Sequence, residues 1–480
     1  MSYFKKIVLI LFVFSLNTSL FAKNKAVLVK SVKELKSAIK NESNYIQLAD
    51  GNYADLRITL NYSGMKKQNV VIEAQNPGKV VIIGNSHIDV NGDYIQLIGF
   101  DFDNGKRQKS EALIMIEGKN NRVSETRFRS YNGVGGVWIQ LNGQYNRVDH
   151  CWFEGKTSGA SYINVDVPKK GGNHHLVDHN FFARPPLKRN GGSALRIGHG
   201  SMATRFCYTV VEFNLFDDCS GESEIMSSKS CGNMFRYNTF FNCKGGLSFR
   251  QGEQGIIESN YFISNKGENN GCSGVGVKNR RNLVLNNYFY GLSPKKGSVI
   301  GFGAGSPPDP KRVDQGIIAI HFPKTAENVI AHNLLVRNQG KLFDMVSDLG
   351  HRNKIFPSDS MYFFNNQMVG SIPFIKLHSE PQHMVWDNNY YQGKTGIEKN
   401  AGLLKSKFKL EKRTNYVFVP KKSGEASKAW MDYLPKQMLD RIEFAGVKEN
   451  LPAGVYFAPE GERGGLQKVL TKKDVGPSWK

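Results

Sequence analysis

Along most of the chain the hydrophobic positions follow neither helical spacing nor long apolar runs. They come in short, β-like stretches punctuated by Gly and Asn. Each stretch ends in a turn-like Asn or small residue, followed two places on by an aromatic or large apolar side chain. Eleven of them run from Gln96–Phe102, through Arg122–Phe128, Leu176–Phe182, Val210–Phe216 and Met234–Phe240, to Val385–Tyr391. Their closing residues are mostly 22–34 apart, with one gap of 46 from Phe289 to Leu335. A period of this size without amphipathic helices predicts a solenoid. The expected fold is all-β, a right-handed parallel β-helix with three short strands per turn. Asn and aromatic residues would stack in ladders on rungs about 4.8 Å apart.

The exceptions to the pattern mark the ends and excursions. Ser31-Val32-Lys33-Glu34 has the form of a capping box, and Val32, Leu35, Ala38 and Ile39 make one apolar stripe. A short helix at about 31–41 is expected to cap the open end of the solenoid and protect its edge. Stretches near 290–316 and 336–360, rich in Gly, Pro and Lys, read as long loops. The catalytic solenoid is expected over 23–399, and 400–480 as a tail packed along it. Residues 1–22 read as a secretory signal: Lys5 and Lys6 precede the apolar run Ile7–Phe14, and Ser19-Leu20-Phe21-Ala22 offers a cleavage site. Export to the periplasm or the outside follows, with no membrane span expected, because the apolar run is short.

Composition sharpens the choice of partner. The formal net charge is +22, or +20 without the two lysines of residues 1–22. A basic exported protein concentrates polyanions around itself, and no nucleic-acid recognition motif accompanies the charge. An acidic polysaccharide is therefore the expected partner. The six cysteines show no zinc spacing. Cys207/Cys231 and Cys219/Cys243 are each separated by one rung. Export permits disulfides there, although buried free thiols in a ladder are the expected state.

The candidate chemistry gathers around Gly221–Ser230. Counted from the closing aromatic of its rung, Asn190 has the same offset as Glu224, and Glu222 lies two residues earlier on the same face. Two carboxylates and an amide oxygen form a hard, oxygen-only cluster suited to Ca²⁺. Lys229 and Arg250 fall on adjacent rungs near one corner. Taken singly, Glu-x-Glu reads as a solvated face, each cation as surface charge, and Asn190 before Gly191-Gly192 as a turn residue. Their shared register favours a site. Arg196 and His199 follow as candidate substrate contacts, and Lys278, Arg280 and Arg281 could extend a basic groove or be surface charge.

The segments Asn190-Gly191-Gly192-Ser193-Ala194-Leu195-Arg196-Ile197-Gly198, Glu222-x-Glu224-x4-Lys229-Ser230 and Phe249-Arg250-x-Gly252 resemble polysaccharide lyase family 6, the family of alginate lyases and chondroitinase B. The resemblance runs from about Ala26 to Phe289. It implies a parallel β-helix and a β-elimination, with Asn190, Glu222 and Glu224 as calcium ligands, Lys229 as base and Arg250 as acid. Alginate is the expected substrate, because Arg184-Pro185-Pro186-Leu187 is similar to the alginate-active members; dermatan sulfate is the alternative. Two rivals remain: a polygalacturonase-type hydrolase, echoed by Gly198-His199-Gly200 and Asp217-Asp218 in reversed order, and a non-catalytic, polysaccharide-binding β-helix.

Overall fold

The computed structural model describes residues 25–186, 191–295, 297–307, 323–351, 353–379, 383–398, 400–448, 450–459 and 462–480. The segment expected to direct export lies outside them. Among the described residues the chain winds into a right-handed parallel β-helix whose walls are three parallel sheets of 14, 12 and 14 strands. Consecutive strands of each sheet come from successive turns, so neighbours in space are one repeat apart in sequence. Alternation does the sorting. In the 12-stranded sheet, Ile58, Ile88, Ile114, Ile139, Ile163, Leu195, Met226 and Leu247 pair in succession and are all buried. The residues between them face outward and are mostly polar.

The two expected ladders are present. Phe102, Phe128, Phe153, Phe182, Phe216, Phe240, Phe262 and Phe289 stack with centroids 4.6–5.0 Å apart. From Phe182 onward a buried asparagine stands two residues before each of these rings, at Asn180, Asn214, Asn238, Asn260 and Asn287. Asn238 is typical: its amide donates to Val211 O at 2.9 Å and to Asn260 Oδ1 at 3.0 Å, and its own oxygen accepts from the Asn214 backbone. The asparagine amides of this column are thereby satisfied inside an otherwise apolar tube. The residue just before each ladder asparagine is left-handed, including Phe213 at φ 53° and Tyr237 at φ 56°. Such residues are strained, and the asparagine bonds on either side offset that cost by holding the corner.

The N-terminal helix spans Val32–Lys40 and is capped by Ser31, whose Oγ accepts from Glu34 N at 3.2 Å. It buries Leu35 and Ala38 at the end of the solenoid. The two stretches read as loops each contain a strand of the 12-stranded sheet, Ser298–Phe302 and Lys341–Met345. Their high Gly and Lys content masked the short apolar alternation. All six cysteines are buried free thiols. Cys207 and Cys231 do lie on neighbouring rungs, joined through their backbones at 2.9 Å.

Beyond residue 405 the chain turns back along the solenoid. Trp430 and the helix Lys436–Ala445, through Met438 and Ile442, pack on Met234, Ile256 and Leu283 of the first sheet. Val417 and Leu466 pack on Tyr261 and Tyr288 of the other 14-stranded sheet, and Leu470 and Val475 on Phe181 and Leu215. The tail thus covers outer faces of two walls. The 12-stranded wall keeps a polar outer face, and the candidate residues lie there. No helix among the described residues is long and apolar enough to cross a membrane.

Candidate functional site

Strand Glu224–Lys229 lies between Leu195–Ile197 and Gly246–Gln251 in the 12-stranded wall. Its outward row continues on neighbouring rungs as Asn164, Arg196, Ser227, Ser248, Gly276 and Gly301. Small side chains at the last four make a flat floor. A groove of about 650 Å³ opens over it, bounded by Glu224, Lys244, Lys278, Lys295 and Asp348.

Two register shifts shape the polar ends. Glu224 pairs with Gly246 but Met226 with Leu247, and Ser228 pairs with Phe249 but Lys229 with Gln251. The second shift leaves Arg250 as an extra residue on its strand. A bulge re-aims the side chain it carries, and Arg250 Nη1 meets Glu224 Oε1 at 2.7 Å. Lys278, two rungs on from Glu224, reaches the same oxygen at 3.0 Å, and Ser227 Oγ donates to Oε2 at 3.1 Å. Burial alone would raise Glu224; Lys278 and Arg250 together outweigh it and hold the carboxyl down to about 2. It stays ionised at any physiological pH.

Lys229 is half-buried beside this cluster. Burial lowers its proton affinity from the ordinary lysine value, Glu224 and Glu222 oppose that, and Arg196 and Arg250 add to it. The result is a net lowering. No hydrogen-bond or ion-pair partner holds the amine among the described residues, so it is available to a ligand. Arg196 is itself fixed from behind, its Nε donating to Asn164 Oδ1 at 2.8 Å, while Asn164 donates to Gln140 at 2.7 Å. Burial lowers the Arg196 guanidinium, against the pull of Glu222 and Asp166.

Glu222, Glu224, Lys229, Arg250 and Arg196 therefore share one electrostatic neighbourhood. Glu222 lies in a bend and not on the strand, which begins only at Glu224. Gly192 and Gly221 pack against each other there, so closely that a Cβ on either would overlap the other's backbone. Asn190 falls outside the described residues. His199 lies past the neighbouring strand, exposed, with Nδ1 2.8 Å from Ser201 Oγ. Arg280 and Arg281 are spent on Glu253 and Glu327. Sequence reasoning missed the weight of Lys278. Its signal was the pairing of Val277 with Phe249, which carries the next residue to the Arg250 rung.

The donor set suits a hard divalent cation: a partly buried carboxylate kept ionised, a second two residues before it, and oxygen atoms only. A groove edged by lysines, with an arginine and a less basic amine at one end, suits an acidic chain molecule.

Residues 29–430 match the sequence profile of the family described as Chondroitinase B. No curated protein sequence matches. Among solved structures, the PL6 family alginate lyase AlyGC superposes with a TM-score of 0.78 at 24% identity, covering 95% of this chain and 59% of that one. A mannuronic acid specific polysaccharide family 6 lyase from human gut microbiota gives 0.67 at 25%, covering 79% and 90%. The PL6 lyase of Pseudopedobacter saltans gives 0.69 at 18%, covering 95% and 99%. The chain thus spans about three fifths of the length of AlyGC.

Proposed function

The chain belongs to the chondroitinase B family, polysaccharide lyase family 6, and from that membership we propose that it cleaves an acidic, uronate-containing polysaccharide, alginate foremost, by β-elimination. The observation that supports this most is the gathering, on one open wall, of an amine with lowered proton affinity, an arginine and a partly buried ionised carboxylate. In the elimination the Lys229 amine takes the proton from C5 of the uronate. The electron pair forms the C4–C5 double bond while the C4–O4 bond breaks. Arg250 stabilises charge on the departing O4, and a water supplies the final proton, because a guanidinium resists deprotonation. Arg196, held by Asn164, is placed to meet a sugar carboxylate.

Glu222 and Glu224, with Asn190 as the third expected ligand, would hold calcium. Bound there, the ion would draw charge from the substrate carboxylate and stabilise the anion left by C5 deprotonation. Alginate is favoured by the Arg184–Leu187 run and by the mannuronate-specific relative; the family's name keeps dermatan sulfate as the second reading. Hydrolysis is disfavoured, since Asp217 and Asp218 belong to a different wall, with Asp218 2.9 Å from Lys266. Export, expected from residues 1–22, would deliver the protein to such polymers. The experiment is an absorbance assay on a panel of uronate polysaccharides, with and without a chelator. New ultraviolet absorbance from alginate that disappears with chelator is the expected result. Reducing ends without absorbance would mean hydrolysis and end the reading.

A further inference from the structure

Glu224 is already neutralised from within the protein. Its Oε1 carries both Arg250 and Lys278, at 2.7 and 3.0 Å. Arg250 belongs to the reaction proposed above, whereas Lys278 has no place in it. The lysine is deep in the wall, and its stem is confined: a Cβ on Gly303 would come within 2.8 Å of its Cγ. Burial lowers the Lys278 amine, Glu224 opposes this, and Arg250 and Lys354 add to it.

A second carboxylate waits on the same groove. Asp348 lines it together with Lys278 and Glu224. Burial would raise Asp348, but the Ala304 N–H at 2.7 Å, Lys354 and the charge of Lys278 hold it below the usual range. The Lys278 ammonium is thus bonded to Glu224 and shares the groove with Asp348, whose charge it helps to stabilise.

We propose that Lys278 is a built-in competitor for the divalent cation at Glu224, its ammonium shifting towards Asp348 when the cation binds. This rests on the reading that Glu222 and Glu224 take such an ion. A divalent cation carries twice the charge of the guanidinium that Lys278 already tolerates at this oxygen, so its arrival repels the ammonium more strongly and the two compete for Glu224. Lys278 sets how much cation the site demands, and Asp348 sets how easily the lysine yields.

Calorimetric titration of chelator-treated full-length protein with calcium chloride tests this. Lys278→Met, which keeps length and removes charge, should bind calcium about tenfold tighter or more than the parent. Lys278→Arg should bind no tighter than the parent, and Asp348→Asn should bind more weakly. Equal or weaker binding by a folded Lys278→Met overturns the competition and leaves the lyase reading standing. If Lys278→Met does not fold, by circular dichroism, Asp348→Asn decides: weaker binding supports the proposal and unchanged binding overturns it. Absence of calcium binding in both the parent and Lys278→Met overturns the competition and the calcium assignment together. A parent that yields no unsaturated product from any uronate polymer overturns the lyase reading alone.

Discussion

Lys229 owes its chemistry to its neighbours. Burial and the cations Arg196 and Arg250 favour the neutral amine, against Glu224 and Glu222. Replacing Lys229 with Ala should lower kcat by about 10³-fold, the scale of a lost general base, with an unchanged circular dichroism spectrum. The sign of the pH dependence follows from the same list. As the proposed base, Lys229 would act deprotonated, so kcat/KM should rise with pH through the Lys229 pKa. Arg196 pushes that pKa down; Arg196→Ala removes the push, so the rising limb should move to higher pH. A profile that stays in place or moves to lower pH would contradict the electrostatic link. The candidate residues stood out in the sequence as a spaced motif. Their mutual charges were not, because Lys278 and Asn164 enter the cluster from other rungs.

At the scale of the element, the corner between two walls is held by a column of amides. Asn238→Ala would leave Val211 O, and the Asn214 N–H that now donates to Asn238 Oδ1, without buried partners. A loss of about 2–4 kcal/mol is expected from those orphaned groups, read as a lower denaturant midpoint. An Asn238→Ala variant as stable as the parent would show that water satisfies the corner. The Phe and Asn columns were readable in advance because the Asn-x-Phe step recurs on five successive rungs, from Asn180-x-Phe182 to Asn287-x-Phe289. The wall of the candidate site was less so. Phe182 to Phe216 is 34 residues, but Leu195 to Met226 only 31, so the turn between the walls absorbs three. Offsets counted from the aromatic therefore drift before reaching Glu224, and the bulge at Arg250 adds one more step that no spacing announces.

For the whole molecule, what matters is which walls are covered. Trp430 is fully buried, 5.6 Å from the His332 ring, in the seam between tail and first wall. Trp430→Ala should cost about 3–5 kcal/mol through the cavity left behind, seen as a lower melting temperature. Below that transition kcat should be unchanged, since the proposed site lies on another wall; a parallel loss of kcat would tie the tail to the site. Charge acts at this scale too. The formal +22 draws a polyanion towards the molecule as a whole, and the open wall offers it a groove edged by Lys244, Lys278 and Lys295.

The sequence by itself determined the architecture, since stacking identical steps admits one economical solution: a parallel coil with like residues in column. It also determined the chemical inventory, two acids, an amide, an amine and a guanidinium within one short span of rungs. Tertiary structure decided which of these meet and what each is worth. Side chains 54 residues apart meet when Lys278 donates to Glu224 Oε1, and no linear spacing carries that contact. Turn lengths and bulges set final register, and a buried charge takes its value from whatever the fold brings beside it.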